Sequence, residues 1–327
     1  MRRTAVAVTL LASMLVPSVD ARAQPSTRIP RVGILSPGSS TESPTVQREP
    51  FERGLRELGW APGSSIIIDY RYAEGATARL PELATELVKL KVDVIVARSN
   101  PAILAARQAT RSIPIVMASG NDPVMAGFVK SLARPDTNVT GIANLMLELE
   151  AKRLELLKAA IGSVTRVGLL DNAASPRQSG AILNAAGRTL GLEIQPFAVS
   201  TPEALAETFV AMSRARVGAI LVQADAVMLD SSHSQIVALA SRHRLPAMYP
   251  WRFYVDVGGL MSYAQAISEF HHRAAGYVDR IVKGAKPADL PVEQSAKFEL
   301  VVNLRAARAL GLTIPPSFLL RANEVIE

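Results

Sequence analysis

The chain has 327 residues, 49% of them hydrophobic and 20% charged, and it contains no cysteine. That composition suits a globular protein with a sizeable core, and it excludes disulfides, thiolate metal sites, thiol nucleophiles and lipid attachment through an N-terminal cysteine. The net charge of +7 comes from Lys and Arg spread among Asp and Glu without any tract, the pattern of solvated helix faces and not of a nucleic-acid surface.

The chain starts with Met1-Arg2-Arg3, and an apolar run from Ala5 to Val16 follows, broken only by Thr9 and Ser13. Pro17 and Asp20 end the run, and Ala21-Arg22-Ala23 before Gln24 reads as a small-x-small cleavage site. This layout predicts a secretory signal peptide over residues 1–23, too short and wrongly flanked to span a membrane. Its removal takes away Arg2, Arg3, Arg22 and Asp20, so the net charge falls from +7 to +5. About 300 residues remain, enough for one large or two medium domains. No later stretch holds about eighteen uninterrupted apolar residues. The expectation is a soluble periplasmic protein without lipid anchor or membrane insertion, working away from any ATP or NAD pool.

Taken in order, the chain alternates Val/Ile-rich runs with amphipathic segments, which predicts an α/β fold of parallel strands in βαβ units. Strands are expected at 31–35, 66–70, 92–97 and 113–118, each with the continuous apolar character of a strand buried on both faces. Helices are expected at 46–58, 79–90 and 102–110. Asp122-Pro123 reads as an N-cap and first-turn proline opening a further helix over 124–133. The pattern restarts with strands at 164–170, 192–199, 217–222 and 245–249. The helices between them begin at Pro176, Glu203 and Ser231. Two sets of about four βα units predict two similar lobes, with a (β/α)₈ barrel as the structural rival. A strand at 259–263 and a long helix at 268–283 follow. The Pro-rich connector 284–291, the strand 298–303 and the helix 304–310 complete the chain. A connector of that kind so late in the chain suits a passage between lobes better than a barrel loop.

The run Lys283-Gly284-Ala285-Lys286-Pro287-Ala288-Asp289-Leu290-Pro291-Val292-Glu293-Gln294, then Lys297-Phe298-Glu299-Leu300-Val301-Val302-Asn303 and Ala309-Leu310-Gly311-Leu312-Thr313-Ile314-Pro315-Pro316-Ser317, resembles the C-terminal signature of one family. It is that of ABC-transporter substrate-binding proteins of the tryptophan/tyrosine-uptake type. Phe51–Gly59, Val92–Val96, Asp122–Val124, Ser131–Pro135, Asn138–Gly141 and Lys152–Leu157 are similar too, so the resemblance runs from about Ile29 to the C-terminus. It implies a type I periplasmic-binding fold, with two Rossmann-like lobes joined by three crossovers and closing on a ligand. The crossovers are expected near Ala143–Asn144, near Val257–Gly258 and within Ala285–Pro291. Lobe 1 would then hold residues 28–143 plus 258–284, and lobe 2 residues 144–257 plus 291–327. The implied partners are a small-molecule ligand and an inner-membrane permease driven by a cytoplasmic ATPase, with the binding protein itself a monomer.

In open α/β sheets ligands sit at the carboxyl ends of strands, beside helix N-termini. On this chain those positions hold Ser36, Ser39, Arg98, Ser99, Asn100, Asn121 and Asp122 in lobe 1. They hold Asn172, Asp225 and Tyr249 in lobe 2, and Tyr263 ends the strand expected to return to lobe 1. Backbone N–H groups after Ser36 and Ser99 could hold a carboxylate, and Asp122 or Asp225 could pair with an ammonium. Tyr249, Trp251 and Tyr263 could stack on an apolar group. Arg98 could clamp a carboxylate bidentately or lie on the surface at the sheet edge. Each Asn or Asp could equally be a helix cap. His233, His243, His271 and His272 show no metal-ligand spacing, and the chain has no GxSxG, Walker or GxGxxG motif. The expectation is a non-enzymatic solute-binding protein with no metal and no cofactor. Two alternatives stand beside it, a periplasmic ligand sensor and a secreted hydrolase built on Asp171 and Asp225.

Overall fold

The structure, a computed structural model, describes residues 28–40, 47–144, 146–173, 180–225, 229, 232–294 and 297–327. The expected signal peptide lies outside them. The first lobe opens with β1 (Arg31–Ser36), α1 (Glu49–Glu57), β2 (Ile67–Tyr72), α2 (Leu80–Lys89), β3 (Val94–Arg98), α3 (Ser99–Ala109), β4 (Ile115–Asn121) and β5 (Val139–Asn144). There follow α4 (Met146–Ile161), β6 (Arg166–Asn172), α5 (Gly180–Leu190), β7 (Glu193–Val199), α6 (Leu205–Arg214), β8 (Ala219–Val222), α7 (His233–Arg242), β9 (Ala247–Tyr249) and α8 (Arg252–Asp256). The chain ends with β10 (Met261–Gln265), α9 (Ile267–Val282), β11 (Glu293–Gln294), β12 (Phe298–Asn303), α10 (Leu304–Ala309), α11 (Pro316–Leu319) and β13 (Glu324–Ile326). Among the described residues no helix is long and apolar enough to cross a membrane.

Two sheets result, ordered β11-β5-β4-β3-β1-β2 and β13-β12-β10-β9-β8-β6-β7. All pairings are parallel except β10 with β12. The inner strands read as unbroken Val/Ile/Leu runs because helices cover both faces and neither face can be polar. The edge strand β2 is only half-buried along its whole length, and its sequence alternates accordingly. On the first sheet, α2 and α3 bury Leu83, Leu87, Ile103 and Ala106 on one face. On the other face, Phe51 and Leu55 of α1 meet Phe270, Tyr277 and Val278 of α9. The second sheet is covered by α6, α7 and α8 on one face and by α4, α5, α10 and α11 on the other.

Two lobes are therefore correct, but their boundaries move. β10 pairs with β9 and β12 in the second sheet, so it does not return to lobe 1. The reason is the turn before it. A β-carbon on Gly259 would lie 2.6 Å from the Tyr249 ring and from the Tyr254 carbonyl, so the bare backbone packs against the end of β9 and the chain runs back beside it. The chain changes lobe at Ala266, and α9 then covers the first sheet. The Pro-rich connector also stays with lobe 1. Thr140 donates to the Leu290 carbonyl at 2.7 Å, Tyr277 to the Pro291 carbonyl at 2.6 Å, and β11 pairs with β5. The third crossing falls between β11 and β12.

The helix expected over 124–133 does not form. Ala126 N–H reaches the Asp122 carbonyl at 2.9 Å and Phe128 N–H the Pro123 carbonyl at 2.8 Å, and the turn ends there. Burying Phe128 and Val129 beside Ile103 in the core outweighs continuing the helix. β5 and α4 were not anticipated from the sequence, and α4 is the first element after the lobe change.

Candidate functional site

The carboxyl ends of both parallel sheets, with the helix N-termini that follow them, form the edge along which the three crossovers run. On lobe 1, Ser36 is buried at the end of β1 and its hydroxyl accepts the Gly38 N–H at 3.3 Å. The Ser39 hydroxyl and the Ser40 N–H hold the Glu74 carboxyl below its usual range. Arg98 ends β3, with a guanidinium nitrogen 3.1 Å from where a β-carbon on Gly38 would sit. It thus lies over the loop after β1.

Ser99 begins α3 at a left-handed φ of +68°, a conformation that costs a non-glycine residue about 1–3 kcal/mol and that collects at functional sites. It is buried, and its hydroxyl has no hydrogen-bond partner among the described residues. Asn100 donates to the Asn121 carbonyl at 2.9 Å and accepts the Asn121 N–H at 2.8 Å. Both ends of this amide clamp the tip of β4, so Asn100 positions Asn121. Asp122, at φ +43°, donates its N–H to the Asn144 carbonyl at 3.4 Å. It opens a turn and caps no helix.

On lobe 2, Asn172 ends β6 and is buried. Asp225 accepts the Leu229 N–H at 3.2 Å. Tyr249 leaves the site. It is 1% exposed, stacked on Tyr254 with centroids 4.9 Å apart, and burial pushes its phenol up. It is a core residue because β9 stops at it and the next turn folds over its ring. Trp251 packs into the same core. Tyr263 lies in the middle of β10, half-buried and stacked on Phe298 at 5.7 Å, the residue that pairs with Gln265 at the edge.

Four polar residues absent from the sequence-derived set lie at the crossovers. Asn144 ends β5 and is fully buried, with neither amide atom partnered among the described residues. Glu269, in the first turn of α9, has a buried carboxylate oxygen without a partner among them. Glu150 and Arg153 of α4 are 3% and 0% exposed. Arg153 donates through Nε to the Tyr263 carbonyl at 2.7 Å, through Nη1 to Glu150 at 3.2 Å and through Nη2 to the Pro250 carbonyl at 3.4 Å. It ties the first crossover helix to the end of β9 and the middle of β10. Loss of hydration raises the Glu150 carboxyl to about 7 against the pull of Arg153, and the Asp171 charge adds to the rise. Across the cleft, burial lowers His271 to about 4, with the Arg98 charge contributing to the fall. Charged residues in a helix ordinarily read as solvated. The available signal was that Glu150, Arg153 and the apolar Leu157 share one helical stripe.

Two cavities lie elsewhere. One of about 390 Å³ opens beside Ala247 and Leu260, at the amino ends of β9 and β10, and one of about 710 Å³ runs along α1 and β2. Neither reaches the lobe-1 strand ends that carry Arg98 and Ser99.

A family model described as ABC transporter substrate binding protein matches residues 38–326. The structure is similar to that of an ABC domain in complex with L-Trp from Streptococcus pneumonia, with 28% identity and a TM-score of 0.83 over 91% of this chain and 100% of that one. It is similar at a TM-score of 0.67 and 23% identity to a ligand-free, open substrate-binding protein with adhesive properties from Clostridium difficile, over 91% of this chain and 99% of that one. A Tyrosine-binding protein of Clostridioides difficile (strain R20291) is 25% identical over 264 residues, 80% of this chain and 75% of the relative.

Proposed function

Because the chain belongs to the ABC transporter substrate-binding proteins, with the type I two-lobe fold, we propose that it captures an aromatic amino acid between its lobes in the periplasm and delivers it to an inner-membrane permease. The observation that carries this reading is where the unsatisfied polarity sits. Buried polar atoms are normally hydrogen-bonded, and each orphan costs about 1–3 kcal/mol. Here the orphans on Ser99, Asn144, Glu150 and Glu269 all lie at strand ends or crossovers. A core has no use for such atoms in one band, whereas a site completed by a polar ligand does. With no ligand, lobes that open to water relieve the cost. A ligand that satisfies these atoms shifts the population to the closed form.

The aromatic amino acid is favoured by the L-Trp and tyrosine named for two relatives, and by Tyr263 of β10 stacked on Phe298 at the lobe-2 edge. Binding and release need no bond making, so the reading is of a carrier, exported by the signal peptide over residues 1–23. The test is a thermal-shift series with L-tryptophan, L-tyrosine, other amino acids and sugars. A ligand at a hundred times its Kd stabilises the folded state by about 2.7 kcal/mol, so an aromatic amino acid should raise the melting temperature clearly. No shift from any amino acid would sink the reading.

A further inference from the structure

The cavity of about 390 Å³ lies inside lobe 2, where β10 begins and β12 and β13 end, beside the C-terminal ends of α7 and α8. Its volume falls in the range of about 300–1,000 Å³ that small-molecule sites occupy. The wall is aliphatic, made by Val237, Ala240, Leu245, Val255 and Leu260, all of them buried. Such a surface takes an apolar body and offers it no hydrogen bond.

Two polar side chains interrupt that wall without partners of their own, one deep and one at the mouth. Tyr249 is 1% exposed and lines the cavity, with its ring running back from the end of β9 to Gly259. Its hydroxyl makes no hydrogen bond among the described residues, although a buried phenol ordinarily finds a partner. At the other end Arg305 of α10 is exposed, and its guanidinium enters no ion pair or hydrogen bond among the described residues. The other charged residue of the lining is Asp256, which accepts Arg252 Nε at 3.2 Å. Arg252 is held in turn by Glu324 at 2.8 Å. The charge left over at the mouth is therefore the Arg305 cation. Asn303, also in the lining, is spent on the Ala306 N–H at 3.1 Å.

We propose that this cavity is a second binding site, for a small carboxylate with an apolar body and a hydrogen-bond acceptor at its far end. The carboxylate lies against Arg305, the body fills the aliphatic wall, and the acceptor takes the Tyr249 hydroxyl. Every lining residue belongs to lobe 2, so occupancy needs no closure of the lobes and stands apart from the amino-acid reading of the cleft.

The experiment is calorimetric titration at pH 8 of the full protein and of Arg305→Gln, Tyr249→Phe and Ala309→Trp. The probes are 8-hydroxyoctanoate, octanoate (no distal acceptor) and 1,8-octanediol (no carboxylate). One such hydrogen bond is worth about fivefold in affinity. Arg305→Gln should cost that for both acids and leave the diol within about twofold of the parent. Tyr249→Phe should cost it for 8-hydroxyoctanoate and the diol and spare octanoate. Ala309 is exposed on α10 and lines the cavity, so Ala309→Trp should block it and weaken all three probes by about tenfold or more. Arg305→Gln or Tyr249→Phe binding every probe as the parent does overturns the proposal, and so does a parent that binds none of them. Displacement of 8-hydroxyoctanoate by L-tryptophan would place the probe in the cleft and overturn it as well, whereas failure of L-tryptophan to bind leaves this site standing.

Discussion

Glu150→Gln separates two titrations that offset each other in the parent protein. Glu150 is 3% exposed and its carboxyl is raised from 4.5 to about 7 by burial. Its folded value exceeds its unfolded one, so its contribution to stability is fully present below about 4.5 and is lost as the pH rises through about 7. The span corresponds to about 3 kcal/mol, at about 1.4 kcal/mol per pH unit. His271 moves the other way. Burial lowers it from 6.5 to about 4, so its contribution is present above 6.5 and lost as the pH falls toward 4. Between about 4.5 and 6.5 the two slopes oppose each other and the parent shows little net dependence from this pair. Gln cannot titrate, so the variant should gain stability over the parent as the pH rises. The difference should grow by about 3 kcal/mol from pH 4.5 to pH 8. Urea unfolding followed by tryptophan fluorescence at several pH values gives the difference curve. A flat curve, or one of opposite sign, would show that Glu150 is ionised with adequate partners in the folded state and would refute the reasoning.

Other perturbations test the packing and the site. Gly141→Ala should cost about 3 kcal/mol or more, because Gly141 has φ +126° and an added β-carbon would lie 2.4 Å from the Met117 carbonyl oxygen; a parent-like urea midpoint would contradict the close approach of β4 and β5. Tyr249→Phe should leave ligand affinity unchanged in titration, since the ring is core, and a tenfold loss would return Tyr249 to the site. Asn100→Ala removes both bonds that hold Asn121, and should lower stability by about 2 kcal/mol and weaken ligand binding through displacement of the β4 tip; unchanged affinity would make Asn100 purely structural. Ser99→Gly relieves the left-handed strain and should raise stability by about 1 kcal/mol while weakening binding. A loss of stability would show that the hydroxyl has a partner in the folded state.

The parallel arrangement and ten of the strands were readable because an inner strand covered on both faces must be apolar throughout, and that pattern survives in one dimension. The edge positions were readable for the same reason, since a ligand edge follows wherever a parallel strand ends. What the chain could not reveal alone was which side of that edge each segment joins. Whether β10 stays with β9 depends on Gly259 meeting the Tyr249 ring, and the late crossing depends on Thr140 and Tyr277 anchoring the Pro-rich connector. Both contacts are between residues far from the chain position where the lobe changes, or across a turn whose direction local propensity leaves open.

The same holds for the site. Ser99 and Arg98 follow a strand and could be named from order alone. Tyr249 could be named and was misplaced, because an aromatic residue at a strand end looks the same whether the next turn exposes it or folds over it. Glu150 and Arg153 had no motif to announce them, and a helix rich in Lys, Arg and Glu normally faces water. Composition and periodicity determined by themselves that this is an α/β protein of parallel strands with polar strand ends, while the choice of two lobes over a barrel leaned on the Pro-rich connector and the family resemblance. Only the tertiary structure decided that a carboxylate and a guanidinium from the first crossover helix lie buried beneath that edge, because burial is a property of what packs on top of a residue.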